Sequence, residues 1–152
     1  MTRVVAPGTS LFERDGTVVV ISSGRMDNGL RTEVRPVWTV QLGDPVLLLD
    51  AVLSSLAAFR QSMPPQGSEE YEALIFRDQD LKAALGGVRT DAQMRREVRR
   101  ISIIKLEDGF KLRPSRAHRG GAWEGLGGGL EELVSDPAEL PAAIIRTFNK
   151  CE

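Results

Sequence analysis

The chain has 152 residues, with 20 basic side chains against 21 acidic ones, a formal net charge of -1, and a single His, Cys and Tyr. One imidazole and one thiol are too few for a Cys/His zinc site, which takes three or four such ligands, and a lone thiol cannot close an internal disulfide. The length suits one domain (1–152) with a core that needs no covalent staple, the scarcity of cysteine fits a reducing, cytoplasmic setting, and no stretch has the apolar length of a signal peptide or a bilayer span.

Taken in chain order, three pairs mark hairpin turns: Asp15-Gly16, Asn28-Gly29 and Asp108-Gly109. A two-residue type I′ turn needs positive φ at both centres, which Asn or Asp followed by Gly tolerates. The first pair predicts Leu11–Arg14 against Thr17–Ser22. The second predicts the segment near Ser22–Asp27 against Leu30–Val40. Thr17–Ile21 is β-branched throughout, which favours a largely buried strand. Pro36 has no N–H for a ladder, so its strand is expected at an edge or a bulge.

Asp44-Pro45 reads as N-cap followed by N1 of a helix over Val46–Phe59. That helix is apolar on nearly every face and is expected in the centre of the domain. Pro64–Gly67 ends it as a loop. Glu69–Ala73 fits a helix start or a loop, and Leu74–Phe76 is a short apolar run of either type. Asp78 and Asp80 read as solvated loop acids, with a short helix from Asp80 to Leu85 stopped by Gly86-Gly87. Thr90-Asp91-Ala92-Gln93 has the capping-box pattern and opens a short helix reaching about Val98.

The third hairpin predicts Ile101–Glu107 against Phe110–Arg116. Gly120–Gly129 is expected as a flexible loop. Its Gly125–Gly129 run lacks the Gly-Lys-Ser/Thr ending of a phosphate cradle. Asp136-Pro137 caps a final helix, in which Leu140, Ile144 and Phe148 recur on one stripe. These elements predict an α+β fold: an antiparallel sheet from several hairpins, packed against a buried central helix and an amphipathic C-terminal helix.

The near-neutral total is a cancellation. Residues 1–88 carry net -3, residues 89–119 net +6 and residues 120–152 net -4. The basic block holds Arg89, Arg95, Arg96, Arg99, Arg100, Lys105, Lys111, Arg113, Arg116 and Arg119. Clustered arginines can neutralise phosphate, so a nucleic-acid-binding accessory protein is one reading. A solvated outer face is the other. It is preferred because the block has few aromatics for base stacking and the whole chain is slightly acidic. Nucleic acid is therefore not the expected partner, and no membrane is.

No catalytic constellation stands out. His118 lies in a basic turn and reads as exposed. Cys151 lies two residues from the end, where chains fray, and reads as a bystander. No catalytic, cofactor-binding or metal-binding residue is assigned, and the chain is not expected to be an enzyme. The other unusual segment is acidic: Glu69, Glu70, Glu72, Asp78 and Asp80, interleaved with Tyr71. An acidic rim steers a basic partner and a Tyr can anchor it. Trp123, Glu124, Glu131 and Glu132 are expected to extend that partner-binding surface.

The C-terminal third has a distinctive layout. A strand, Ile101–Lys105, passes through Asp108-Gly109 into Phe110–Pro114. The loop Gly120–Leu126 follows, then the capped helix Asp136–Ile145 with Phe148 and Cys151 behind it. This layout resembles the immunity proteins of bacterial contact-dependent growth inhibition and related polymorphic toxin systems. Ser22–Arg25 resembles them more loosely. Members often end in an acid-Leu-Gly-x-Ala helix, and Pro141 here stands in place of that Gly. The resemblance implies a small cytoplasmic α+β protein that binds and blocks one cognate C-terminal toxin domain, commonly a nuclease. It carries over no catalytic residue and no interface residue.

Overall fold

The computed structural model describes residues 4–118 and 122–152, so Arg119 and the Gly120-Gly121 start of the expected loop lie outside the described residues. Three strands open the chain: β1 (Gly8–Arg14), β2 (Thr17–Arg25) and β3 (Arg31–Gln41). Four helices follow: α1 (Pro45–Ala57), α2 (Glu69–Leu74), α3 (Asp78–Ala84) and α4 (Asp91–Glu97). The chain then returns to the sheet with β4 (Arg99–Leu106), β5 (Gly109–Ala117), β6 (Trp123–Gly125) and β7 (Glu132–Val134), and closes with α5 (Leu140–Phe148). The predicted α+β class holds: all seven strands join one antiparallel sheet of order β3-β2-β1-β4-β5. The outer edge of β5 is shared by β7 at its start and β6 at its end.

The turns obey local chemistry to different degrees. At Asp15-Gly16 the residues on either side, Arg14 and Thr17, face each other, and both centres have positive φ (50° and 85°). That is the expected two-residue turn. Around Asn28-Gly29 the loop is longer, because Met26 N–H donates to the Leu30 carbonyl across three residues. Only Gly29 takes the left-handed conformation there, as a three-residue hairpin loop requires. The third turn is centred on Glu107-Asp108, one residue earlier than predicted, since Leu106 faces Gly109. Gly109 is instead the first residue of β5, where a Cβ would collide with the Val134 carbonyl of β7. The glycine is there for a neighbouring backbone, not for the turn.

Pro36 behaves as predicted on both counts. Strand β3 is the sheet edge, and the register slips there, with Val37 opposite Ile21 but Val34 opposite Ser22. The extra residues are Arg35 and Pro36, joined by a cis peptide bond, and the Ser22 hydroxyl donates to the Pro36 carbonyl at 2.7 Å.

Both faces of the sheet are covered, which makes three layers. On the first face Leu11, Val18, Val20, Ile101, Ile103 and Leu112 pack against α1 and α5. The N-caps are those the sequence predicts: the Asp44 carboxylate accepts from Leu47 N–H, and that of Asp136 from Ala138 N–H. Asp136-Pro137 opens a short 3₁₀ turn that leads into α5, whose Leu140, Ile144 and Phe148 are fully buried. Helix α1 buries Leu48, Ala51, Val52, Ser55 and Leu56 in this core, but Val46 and Leu47 on its other side are more than half exposed. It lies on the sheet rather than being enclosed on every face. Thr9 fixes it there, since its hydroxyl donates to the Ile21 carbonyl and lies 2.6 Å from the Ser55 hydroxyl.

On the second face Phe12, Val19 and Ile21 pack against Leu81 of α3, Met94 of α4, and Leu85, Val88 and Val98 beside them. Asp78 and Asp80, expected in a loop, form the first turn of α3, where Asp80 accepts from Arg77 N–H. Thr90 caps α4 through Gln93 N–H, while the Gln93 side chain reaches Arg89 N–H rather than closing the box on Thr90. A third, small core joins Val34, Met63 and Tyr71 beneath α2. The Gly-rich segment is more ordered than a flexible loop where it is described, since it holds β6, which pairs with β5, and a short 3₁₀ turn begins at Gly128.

Candidate functional site

The second face is apolar at one end only. Along β1 and β4 it presents Ser10 beside Phe12, and Arg100, Ser102 and Ile104, because alternate residues share a face and Phe12 stands opposite Arg100 and Ser10 opposite Ser102. On β2 and β3 the same face carries Ser23 opposite Glu33. Large apolar groups at Phe12, Val19 and Ile21 hold α3 and α4 over one end. Small residues at Gly8, Ser10, Ser23 and Ser102 leave the other end open. The result is a cleft of about 280 Å³ whose walls include Arg31, Thr32, Glu33 and Arg100.

Two charges face this cleft without meeting. Arg100 is largely buried over the Phe12 ring (5.6 Å) and donates to the Ser10 hydroxyl at 3.2 Å, with a long contact to Ser115 at 3.5 Å. Its Nε has no partner, and no carboxylate lies within ion-pair distance among the described residues. Burial lowers its pKa from the usual guanidinium value, and the charge of Glu33 opposes that. Glu33 forms no hydrogen bond or ion pair through its carboxylate among the described residues. Burial pushes its carboxyl above the usual carboxylate range, the Arg100 charge pulls it down, and the Asp78 charge adds to the rise. Arg31 leans away to the Ala6 carbonyl and over the Phe59 ring, and burial lowers its pKa too.

The acidic residues read from the sequence do not gather on this face, since Glu132 faces α5 on the other side of the sheet. Glu69, Glu70 and Glu72 are exposed on α2, and the charge of Asp78 acts on Glu33. Several are already engaged: Glu72 with Arg77, Asp78 with Lys82, and Asp80 with Arg35 at 3.8 Å. Tyr71, expected as the exposed anchor of this surface, is only 7% exposed. It faces inward because α2 has a single buried position and Tyr71 fills it over Val34 and Met63. On the other side Trp123 stacks edge-on against Phe12, with ring centroids 5.7 Å apart, so it belongs to the second core. Glu124 pairs with His118 at 2.7 Å, Glu131 with Arg113 and Lys111, and Glu132 with Arg146. His118 is about half exposed, as expected.

The basic block does not form one face. Arg99 pairs with the buried Glu13 at 2.8 Å and lies over Phe148, Arg116 pairs with Glu152, and Arg113 is held by Glu131. The chain end is docked rather than frayed: Glu152 N–H donates to the Ser115 carbonyl, and the Cys151 thiol reaches the Arg100 carbonyl. Burial raises the pKa of that thiol. The sequence reading missed Glu33, Arg31 and the serines of the cleft floor. Their signal is the alternation of Ser10, Arg100 and Ser102 with Leu11, Ile101 and Ile103. Among the described residues no group of three or more His, Cys, Asp or Glu side chains is placed to hold a metal ion, and no helix is long and apolar enough to cross a membrane.

No protein-family profile and no curated protein sequence matches the chain. Among solved structures, a protein of unknown function from Neisseria meningitidis is similar over 100% of this chain and 99% of its own, with a TM-score of 0.71 at 15% identity. A chain of the CdiA-CT/CdiI toxin and immunity complex from Yersinia pseudotuberculosis is similar over 99% of this chain and 100% of its own, with a TM-score of 0.71 at 13% identity. The fold is therefore shared, end to end, with a component of a solved toxin–immunity pair.

Proposed function

We propose that this chain is the immunity protein of a contact-dependent growth inhibition system, binding one cognate C-terminal toxin domain and blocking it. The reading rests on the span of the structural likeness. It covers 99% of this chain and 100% of a chain from a toxin and immunity complex, so neither fold has a part left over. The layout of the C-terminal third supports the same assignment. The role needs no catalytic residue and no cofactor, and it puts the protein in the cytoplasm with the toxin it restrains.

A nuclease is the toxin class that fits the charge. Nuclease grooves are basic because they bind phosphate. Here Glu69 and Glu70 project from α2 with no ion pair among the described residues. Such a shoulder speeds encounter with a basic groove, and bulk then keeps substrate out. The open cleft beside it adds relief into which a partner side chain can fit. The test is co-expression with the toxin domain encoded immediately upstream, followed by gel filtration of the pair. Rescue from growth arrest with a 1:1 complex is the expected result. Continued arrest with no complex overturns the assignment.

A further inference from the structure

We infer that the outward stripe of α1 is a self-association surface, on which a second copy of this chain docks its own α1 in antiparallel alignment. The inference stands apart from the toxin assignment. Helix α1 turns Leu48, Ala51, Val52, Ser55 and Leu56 toward the sheet. Its opposite side is a row of Val46, Asp50, Leu53 and Ala57, all exposed. Val46 is 68% exposed and Leu53 37%, so large apolar groups meet water along most of the helix. At the C-terminal end of the row lies a pocket of about 360 Å³, walled by Pro7, Leu53, Leu56, Ala57 and Phe59, with Lys105 in its lining. Asp50 is the only charged residue of α1. Neither it nor Lys105 forms a side-chain hydrogen bond or ion pair among the described residues.

The row reads the same in both directions. Its steps of four, three and four residues are those of a coiled-coil seam, and its midpoint falls between Ala51 and Val52. Two-fold symmetry about that midpoint sets Val46 opposite Ala57 of the second copy, and Asp50 opposite Leu53 of the second copy. Each end then meets what it lacks. The protruding Val46 reaches the pocket beside Ala57, and Asp50 reaches Lys105, which lines that pocket with Leu53. Both contacts occur twice, as an isologous interface requires. A partner of another kind must bring an apolar knob and an acid to the pocket and a cation to Asp50. This chain already carries all three on one surface.

Charge and area set the strength. The two Asp50 carboxylates come close at the symmetry axis, so the alignment holds only while each reaches a lysine. A helix of 13 residues is about 20 Å long and about 10 Å wide, so the stripe offers roughly 200 Å² per copy. Stable dimers bury about 800 Å² on each side. The dimer is therefore weak and reversible, forming at high micromolar concentration.

Sedimentation equilibrium of the full chain from about 10 μM to about 1 mM reads the association directly, and the wild type should pass from monomer toward dimer within that range. Val46→Asp should weaken it about tenfold or more. That change puts an acid in the first turn of α1, where the helix dipole favours one and none stands now, so the variant should melt no lower than the wild-type monomer. Asp50→Lys and Lys105→Asp should each weaken association about tenfold, and the two together should restore it to within about threefold of wild type. A wild type that stays monomeric to about 1 mM overturns the inference. A dimer that Val46→Asp leaves intact overturns it too, as do charge variants that the double exchange does not rescue. A monomeric wild type whose Val46→Asp variant no longer binds the upstream-encoded toxin domain assigns the stripe to the toxin, which also overturns it.

Discussion

Phe12 joins the packing of the second core to the geometry of the cleft, so its replacement tests both. Its ring lies under Arg100 at 5.6 Å and edge-on to Trp123 at 5.7 Å, with an interplanar angle of 79°. Phe12→Leu keeps an apolar group of similar size in a site that is 1% exposed, so little of the loss comes from burial. What disappears is the aromatic pair, worth about 1 kcal/mol, and the cation–π contact of a largely buried guanidinium, worth about 1 kcal/mol more. A loss of about 2 kcal/mol in a domain of this size lowers the melting temperature by about 4–8 °C. Urea unfolding should show the same loss in midpoint with an unchanged slope. A double-mutant cycle with Arg100→Met isolates the ring–cation term and should return a coupling of about 1 kcal/mol. A Phe12→Leu protein as stable as wild type, or a cycle whose coupling is near zero, would refute the claim that Arg100 is held in place by this ring.

Three further outcomes follow from the same structure. Glu33 has a folded-state pKa above its unfolded value, so the native state holds more protons in the window between them, and stability falls as pH rises through it. Glu33→Gln should therefore be more stable than wild type at neutral pH, with the advantage vanishing below the ordinary carboxylate range in pH-dependent urea melts. Arg99→Met strands the Glu13 carboxylate, which is 5% exposed, and should cost about 3 kcal/mol by chemical denaturation, most of it recovered by adding Glu13→Gln. Replacing Glu69 and Glu70 by Lys should slow association with the toxin domain about tenfold at low salt in stopped-flow mixing, with the deficit shrinking as salt is added.

Local signals carried much of the architecture. Asp44, Thr90 and Asp136 cap the helices they were read to cap, because a side-chain oxygen and an orphan N–H a few residues away need nothing else. Pro36 marked the edge and the bulge for an equally local reason. The misplaced features answer to distant partners. Gly109 looked like a turn residue, but the group that requires it is the carbonyl of Val134. The outward apolar side of α1 cannot be told from its inward side when nearly every position is apolar. Tyr71 among acids looked exposed, and only the fold reveals that α2 has one inward position. The cleft was the least legible feature. Glu33 and Arg100 are far apart in the chain, and they approach only because the sheet runs β3-β2-β1-β4. Read singly, one was a strand acid and the other a member of a basic run.

The covering of β2 on both sides has a consequence for how the chain finds its register. In a strand with one wet face, a slip of one residue drives apolar groups into water and is rejected at once. Val18, Val19, Val20 and Ile21 are all fully buried, two toward each face, so a slipped β2 would present nearly the same surface to both cores. Hydrophobic pattern alone does not discriminate between the alignments. The task falls on the tight Asp15-Gly16 reversal, whose two left-handed residues admit one pairing, and on Thr9 and Ser22, whose hydroxyls reach their acceptors in a single alignment. The fidelity of folding in the middle of this sheet therefore depends on a few polar atoms and one glycine, while the apolar bulk around them supplies stability with little preference between registers.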